Sequence, residues 1–376
     1  MTALDFLIAL IVLSAALLLW PFLFYPLVLR LLPEKPVSPG QAAPSASLLF
    51  CAYNEAAALP AKIANLRALK AQHPALEILA FDDGSSDGTG DLLTQASDVL
   101  TLERGPGRSG KAHGMKRLAA MARGEVLIFT DANVLLDEGA IPALLPYYAD
   151  AAVGGVLGSL HYGGAESSAS ASVGALYWRI EEHLKDLESR SGNVMGADGA
   201  IFSIRRALYP DFPDSVLDDL TVSMAVVFAG KRLIKATDVI AREAMVAKRE
   251  EEYRRKVRIA ARSWHTHRHL RPQLRAMSRL DRFKYTSRKI VRWFGGLWIG
   301  IGALSALALA WRFTPVAAVA LAAAAMVLLL LGAMARRGPL AAILDLLLAY
   351  MATLKGVLLA MRGQTFTVWT PAKSRD

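Results

Sequence analysis

A run of about 27 residues near the N-terminus, 6–32, carries a single charge, Arg30. That exceeds the roughly 20 apolar residues a helix needs to cross a bilayer, so part of this chain belongs in lipid. Trp20 and Tyr25 suit the interface, and Pro21 and Pro26 predict a kink. A cleaved signal peptide fits poorly: the stretch is too long, and the residues before it include Asp5 but no Lys or Arg. The pattern returns near the other end. Residues 293–311 and 315–334 are uncharged and joined by a tight turn at Arg312, Phe313 and Thr314. A further run, 340–361, carries Asp345 and Lys355, so it either spans or lies in the interface as an amphipathic helix. Arg30 with Lys35, Arg288 with Lys289 and Arg292, and Arg336 with Arg337 mark cytosolic flanks. The expectation is three spans plus an interfacial helix, with residues 33–290 in the cytosol.

Composition agrees with this division. Of 376 residues, 54% are hydrophobic and 20% charged, which excludes a disordered chain and argues against a wholly soluble one. The net charge of +10 is localised: 241–292 holds 17 Lys or Arg against 5 Asp or Glu, a net of +12, and the remainder is slightly acidic. A basic segment directly before a span suits anionic lipid. Its Tyr253, Trp264, Phe283 and Tyr285 fit interfacial helices better than a base-stacking platform, so nucleic acid is not the expected partner. The lone cysteine, Cys51, excludes an intrachain disulfide and a thiolate zinc cluster, and nothing assigns it chemistry. The expected divisions are 1–35, an anchoring helix; 36–240, an α/β domain entered through a Pro/Ala/Ser-rich linker; 241–292, basic interfacial helices; 293–362, the second membrane region; and 363–376, a cytosolic tail.

Within the soluble domain, short apolar runs at 46–52, 76–81, 99–102, 126–130 and 155–160 alternate with helical patterns at 56–71, 90–96 and 111–122. The alternation predicts a doubly wound, mostly parallel α/β sheet, whose ligands bind at the carboxyl ends of the strands. Polar motifs stand at those ends: Tyr53-Asn54-Glu55, then Asp82-Asp83-Gly84-Ser85-Ser86-Asp87-Gly88-Thr89, then Asp131-Ala132-Asn133. Each alone could be a helix cap or an Asx turn. Three acidic strand ends in one half-sheet point to a shared site.

These motifs, followed by Gly196-Ala197-Asp198-Gly199-Ala200, Arg205-Arg206 and Leu217-Asp218-Asp219-Leu220, stand in an order that resembles the family 2 glycosyltransferases of the GT-A fold. The likeness is to their membrane-bound branch, which contains the cellulose, chitin, hyaluronan and poly-N-acetylglucosamine synthases. It implies a membrane-embedded, inverting glycosyltransferase of the bacterial inner membrane, facing the cytosol. The donor implied is a nucleotide-sugar, UDP-linked, and the acceptor a polysaccharide or glycolipid. Single-sugar transfer to a polyprenyl phosphate or diphosphate lipid is the neighbouring reading. A scaffold or transport subunit that only binds nucleotide is the non-enzymatic one.

The resemblance also implies roles. Asp219 is the general base and Asp218 its acidic neighbour. Ala52, Tyr53, Glu55 and Asp83 contact the nucleoside, and Asp131 with Asn133 holds Mg²⁺ or Mn²⁺ on the diphosphate. Asn133 stands where the family has a second carboxylate. Its amide oxygen still suits a hard cation but adds no charge. The family's Gln-x-x-Arg-Trp motif is altered to Arg255-Lys256-Val257-Arg258-Ile259, leaving Arg255 and Arg258 for the diphosphate and no Trp to stack an acceptor. Phe366-Thr367-Val368-Trp369-Thr370 loosely resembles the loop that covers the nucleotide. A P-loop reading of 105–112 fails, because Ala112 follows Lys111 where magnesium needs Ser or Thr. Lys111 is instead read as a diphosphate contact. His265, His267 and His269 lie among cations and read as surface or headgroup residues.

Overall fold

The computed structural model describes residues 2–41, 43–163, 169–244, 249–335, 338–366 and 368; Arg336, Arg337, Thr367, Trp369 and Thr370 lie outside them. Its strands are β1 (Ala46–Ala52), β2 (Glu77–Asp82), β3 (Thr101–Arg104), β4 (Val126–Thr130), β5 (Leu135–Leu136), β6 (Val153–Gly163), β7 (Ile201–Arg205) and β8 (Arg232–Ala244). They make one mixed sheet in the order β3-β2-β1-β4-β7-β6-β8-β5. The β3-β2-β1-β4 half is parallel, with Ala52 opposite Asp82 and Leu49 opposite Phe129. From β4 outward the pairing changes: β7 is antiparallel to β4 and β6, β8 is parallel to β6, and β5 is antiparallel to β8.

All of β1 and β4 is buried, as expected of parallel strands covered on both faces. The two-residue period sorts their side chains. Leu48, Phe50 and Ala52 pack with Leu59, Leu66 and Leu69 of helix Leu59–Gln72. On the other face, Leu49 and Cys51 meet Met115 and Leu118 of helix Lys111–Met121 and Val222 and Met224 of helix Asp218–Phe228. The segment before β1 is pinned to the domain: Lys35 N–H donates to the Arg190 carbonyl at 2.6 Å and Gly40 N–H to the Pro146 carbonyl at 2.9 Å.

Four helices are long and apolar enough to cross a membrane: Ala3–Arg30, Gly295–Phe313, Pro315–Met334 and Pro339–Met361. The expected kink in the first is a π-turn over Trp20–Phe24, where Pro21 lacks an amide donor. Ser14 of this helix is buried against Gly302 of the second, a close approach that small residues permit. The fourth lies along helix Arg249–His269. Gly356 faces the Val257 carbonyl so tightly that a Cβ has no room, and Arg249 pairs with buried Asp345.

The basic segment is less exposed to lipid than its sequence suggests. Arg288 pairs with Glu188 at 2.5 Å and Glu181 at 2.9 Å, both on helix Ala169–Arg190 and both buried. Arg292 also pairs with Glu181, and the Tyr25 hydroxyl donates to Glu188 at 2.6 Å. The first span, the helix beneath the sheet and the segment entering the second span thus share one buried charged cluster.

Candidate active site

The β1 end turns sharply at Asn54, whose φ is +52°, a left-handed conformation that Asn tolerates. Its amide donates to Ser85 Oγ at 3.1 Å and its side-chain oxygen accepts the Ser86 amide at 2.9 Å. Glu55 N–H donates to Thr89 Oγ1 at 2.8 Å and Ala56 N–H to Asp87 Oδ2 at 3.0 Å. Asp82 accepts the Ser85 amide at 3.1 Å. Asn54, Asp82 and Asp87 therefore join the two strand ends, and the half-buried Tyr53 and Glu55 are held at the rim.

Asp83 is fully buried. Its Oδ1 accepts the Ser109 amide at 2.7 Å and hydroxyl at 2.8 Å, and its Oδ2 accepts the Gly110 amide at 3.0 Å. The Asp83 amide donates to the Ala52 carbonyl at 3.0 Å. The backbone amides that a P-loop would aim at phosphate here bind this carboxylate instead. The arrangement anchors the 105–110 loop over the strand ends and brings the Arg108 guanidinium to 3.7 Å from the Tyr53 ring centroid. A flat cationic and aromatic edge results, suited to stacking a base.

Beside this loop, Lys111 Nζ lies 2.6 Å from Asp131 Oδ1 and 3.7 Å from Asp218 Oδ2. Burial works against its charge, but Asp131, Asp218 and Asp219 together raise its pKa above the usual lysine value. Gly199 covers the pair: a Cβ there would lie 2.8 Å from Lys111 Nζ and 3.0 Å from Asp131 Oδ2. Asp218 and Asp219 open helix Asp218–Phe228, where the helix dipole favours anions. Burial and the neighbouring Asp218 nevertheless push the Asp219 carboxyl up to about 7.

Helix Arg249–His269 closes the site. Arg262 Nη2 donates to the Val216 carbonyl at 2.5 Å, and the Leu217 amide donates to Thr266 Oγ1 at 2.8 Å, fixing the segment before the acidic pair. Arg255 pairs with Glu252 at 3.3 Å. Against the burial that opposes its charge, Glu252, Tyr162, Glu243 and Asp131 raise its pKa, so it faces the same acidic region. Arg258 follows on this helix, half-buried. Arg262 and Thr266 were not singled out from the sequence, although they continue Arg258 at four-residue spacing on one helical face.

For a hard cation the protein offers the Asp131 carboxylate, one-third exposed, and the Asn133 amide oxygen. The Asn133 nitrogen donates to Glu243 at 3.2 Å, which turns the oxygen away from that carboxylate. Among the described residues no cluster of three His, Cys, Asp or Glu could hold a metal. The donor set thus fits a cation completed by water and a ligand's phosphates. The three histidines gather no such site: His265 bonds the Gln364 carbonyl at 2.7 Å and His267 the Tyr285 hydroxyl at 3.3 Å. Cys51 is a buried thiol behind Lys111, and burial raises its pKa well above the ordinary value.

A half-parallel sheet with acidic strand ends, roofed by a basic helix from which apolar helices hang, defines a membrane-anchored enzyme of the α/β class. Residues 47–212 match the model for Glycosyl transferase family 2. No curated protein matches it by sequence. Among solved structures, the mannosyltransferase PcManGT from Pyrobaculum calidifontis, in complex with GDP-Man and Mn²⁺, aligns at a TM-score of 0.72 and 21% identity. The alignment covers 94% of this chain and 99% of that one, so the two share a fold that includes the apolar helices. GalNAc-T7 with UDP, GalNAc and Mn²⁺ aligns at 0.40 and 14% identity over 55% of this chain and 44% of its own. Mannosyl-3-phosphoglycerate synthase from Rubrobacter xylanophilus aligns at 0.37 and 18% over 54% and 66%.

Proposed function

We propose that the chain is an inverting glycosyltransferase that moves a sugar from a nucleotide-diphosphate donor to a hydroxyl of a polysaccharide or glycolipid acceptor at the cytosolic face of a membrane. The observation that carries this reading is the acidic pair at the mouth of the site, with Asp219 held near pH 7 beside the Lys111–Asp131 pair. An alcohol is deprotonated only as it attacks, and a carboxylate of that basicity is a suitable general base. The acceptor oxygen forms a bond to the anomeric carbon as its proton passes to Asp219. The bond from that carbon to the diphosphate breaks, and the electron pair leaves with the phosphate oxygen. Lys111 and Arg255, with Arg258 by the family resemblance, are the cations read as receiving the departing charge. Tyr53 and Arg108 support the base, with Ala52, Glu55 and Asp83 shaping the nucleoside end. Mg²⁺ or Mn²⁺, held by Asp131 and Asn133, supplies Lewis-acid charge for the leaving group when bound.

The family resemblance favours a UDP-sugar, while the mannosyltransferase of matching fold holds GDP-Man and Mn²⁺. A second reading, single addition to a polyprenyl-linked lipid, draws support from a cavity lined by Arg249, Tyr253 and Lys256 beside Glu252 and Asp345, with the apolar Leu346 and Leu348. Glu252 links it to the site, pairing with Lys256 at 3.0 Å and with Arg255. The test is purified protein with Mn²⁺, labelled UDP-sugars and GDP-mannose, and lipid extract. A ladder of products supports polymer synthesis; a single lipid-linked product supports the second reading. Nucleotide binding without turnover across the panel would leave only a scaffold, and Asp219→Asn transferring at the wild-type rate would remove the base assignment.

A further inference from the structure

Lys62 is fully buried in helix Leu59–Gln72, on the face of the sheet opposite Lys111. Its ammonium donates to the Val134 carbonyl at 2.6 Å and to Thr130 Oγ1 at 3.4 Å. Thr130 Oγ1 in turn donates to the Ala200 carbonyl at 2.8 Å, in the loop that places Gly199 over Asp131. One turn further along the helix, Asn65 makes a two-way bond to Leu136: its nitrogen donates to the carbonyl at 2.7 Å, and its oxygen accepts the amide at 2.9 Å. The two side chains therefore grip both ends of the segment that carries Asp131 and Asn133.

Stability alone does not account for a lysine there. A buried charge without a carboxylate partner is costly, and an apolar chain of similar volume is commonly as stable or more so. Among the described residues Lys62 donates to a carbonyl and a hydroxyl and lies 5.6 Å from the Phe50 ring centroid, and it forms no ion pair. What the lysine adds is direction: two hydrogen bonds in fixed places hold a short strand-to-turn connection that lacks regular pairing until β5.

We propose that Lys62 and Asn65 are positioning residues that fix the Asp131–Asn133 turn in the conformation needed to bind the donor's phosphates and their cation. The proposal rests on the assignment of Asp131 given above, and the readouts separate the two. In Lys62→Met, amide exchange across 131–136 should quicken without any ligand, while the thermal midpoint stays equal or rises. Mn²⁺ titration by electron paramagnetic resonance, with GDP or UDP present, should need roughly 10–100-fold more metal, the usual effect of losing a group that orients a ligand. Nucleotide binding in EDTA should not change, and turnover should fall through kcat more than through donor KM. If Lys62→Met does not fold, Asn65→Ala, at a half-buried position, should show the same pattern to a smaller degree. Unchanged exchange at 131–136 together with wild-type kcat, in whichever variant folds, overturns the proposal. Failure of the wild-type protein to bind Mn²⁺ would count against the metal assignment alone, because exchange and kcat still test the turn.

Discussion

Asp219 holds its proton at a pH where an ordinary carboxylate has lost it, and this has consequences for both rate and stability. Burial and Asp218 raise its pKa to about 7, with Lys111 pulling the other way. An unfolded Asp ionises near 3.9. Between those values the folded state binds the extra proton, so this residue's contribution to stability is complete below about 4 and is lost as pH rises through about 7. The base is active only when ionised, so kcat/KM should climb over the same interval. Asp219→Asn should lower kcat by roughly 10²–10⁴-fold, the usual worth of a positioned general base. It should also melt higher than wild type, with a gap that widens from pH 5 to pH 8. Melting curves at the two pH values check this. A gap that stays the same at both pH values would show that Asp219 is ionised throughout.

Residues 109 and 110 of the 105–110 loop are held by the Asp83 side chain. Asp83 accepts from both Ser109 and Gly110, and hydrogen bonds to a charged group are worth about 1.5–3 kcal/mol each. Asp83→Asn should release the loop: exchange at residues 107–110 should quicken in donor-free protein, and donor KM should rise more than kcat falls. Slow exchange with a raised KM would instead mean that Asp83 acts by touching the donor. The same scale explains what could be read from sequence. β1 and β4 were legible to the residue because strands buried on both faces form continuous apolar runs. β8 was not, because Lys235, Asp238, Arg242 and Glu243 interrupt its apolar pattern, and its burial alternates along its length. β7 is short and antiparallel, so no crossover helix announces it. In the site, the acidic strand ends were visible as motifs. Lys62, Asn65 and Arg262 were not, because their functional atoms bond backbone carbonyls that only the fold brings near.

At the scale of the whole molecule, the basic segment couples the α/β domain to the apolar helices by buried pairing. Arg288 and Lys284 are buried, and Glu181, Glu188 and Tyr25 join three segments distant in sequence. The helix Pro339–Met361 is long enough to cross, yet it packs along helix Arg249–His269, whose other face holds Val216 and Leu217 at the site. The Gln364 carbonyl just beyond it bonds His265 of that same helix. A fourth crossing would carry Gln364 to the far side of the membrane, away from His265. We therefore expect three crossings, with the last helix lying on the cytosolic face. Single cysteines at Phe313 and Gln364, in a Cys51→Ser background, test this in intact cells with an impermeant maleimide. Phe313→Cys, at an exposed position in the turn between the second and third apolar helices, should label from outside. Gln364→Cys should label only after permeabilisation, and its labelling in intact cells would establish the fourth crossing.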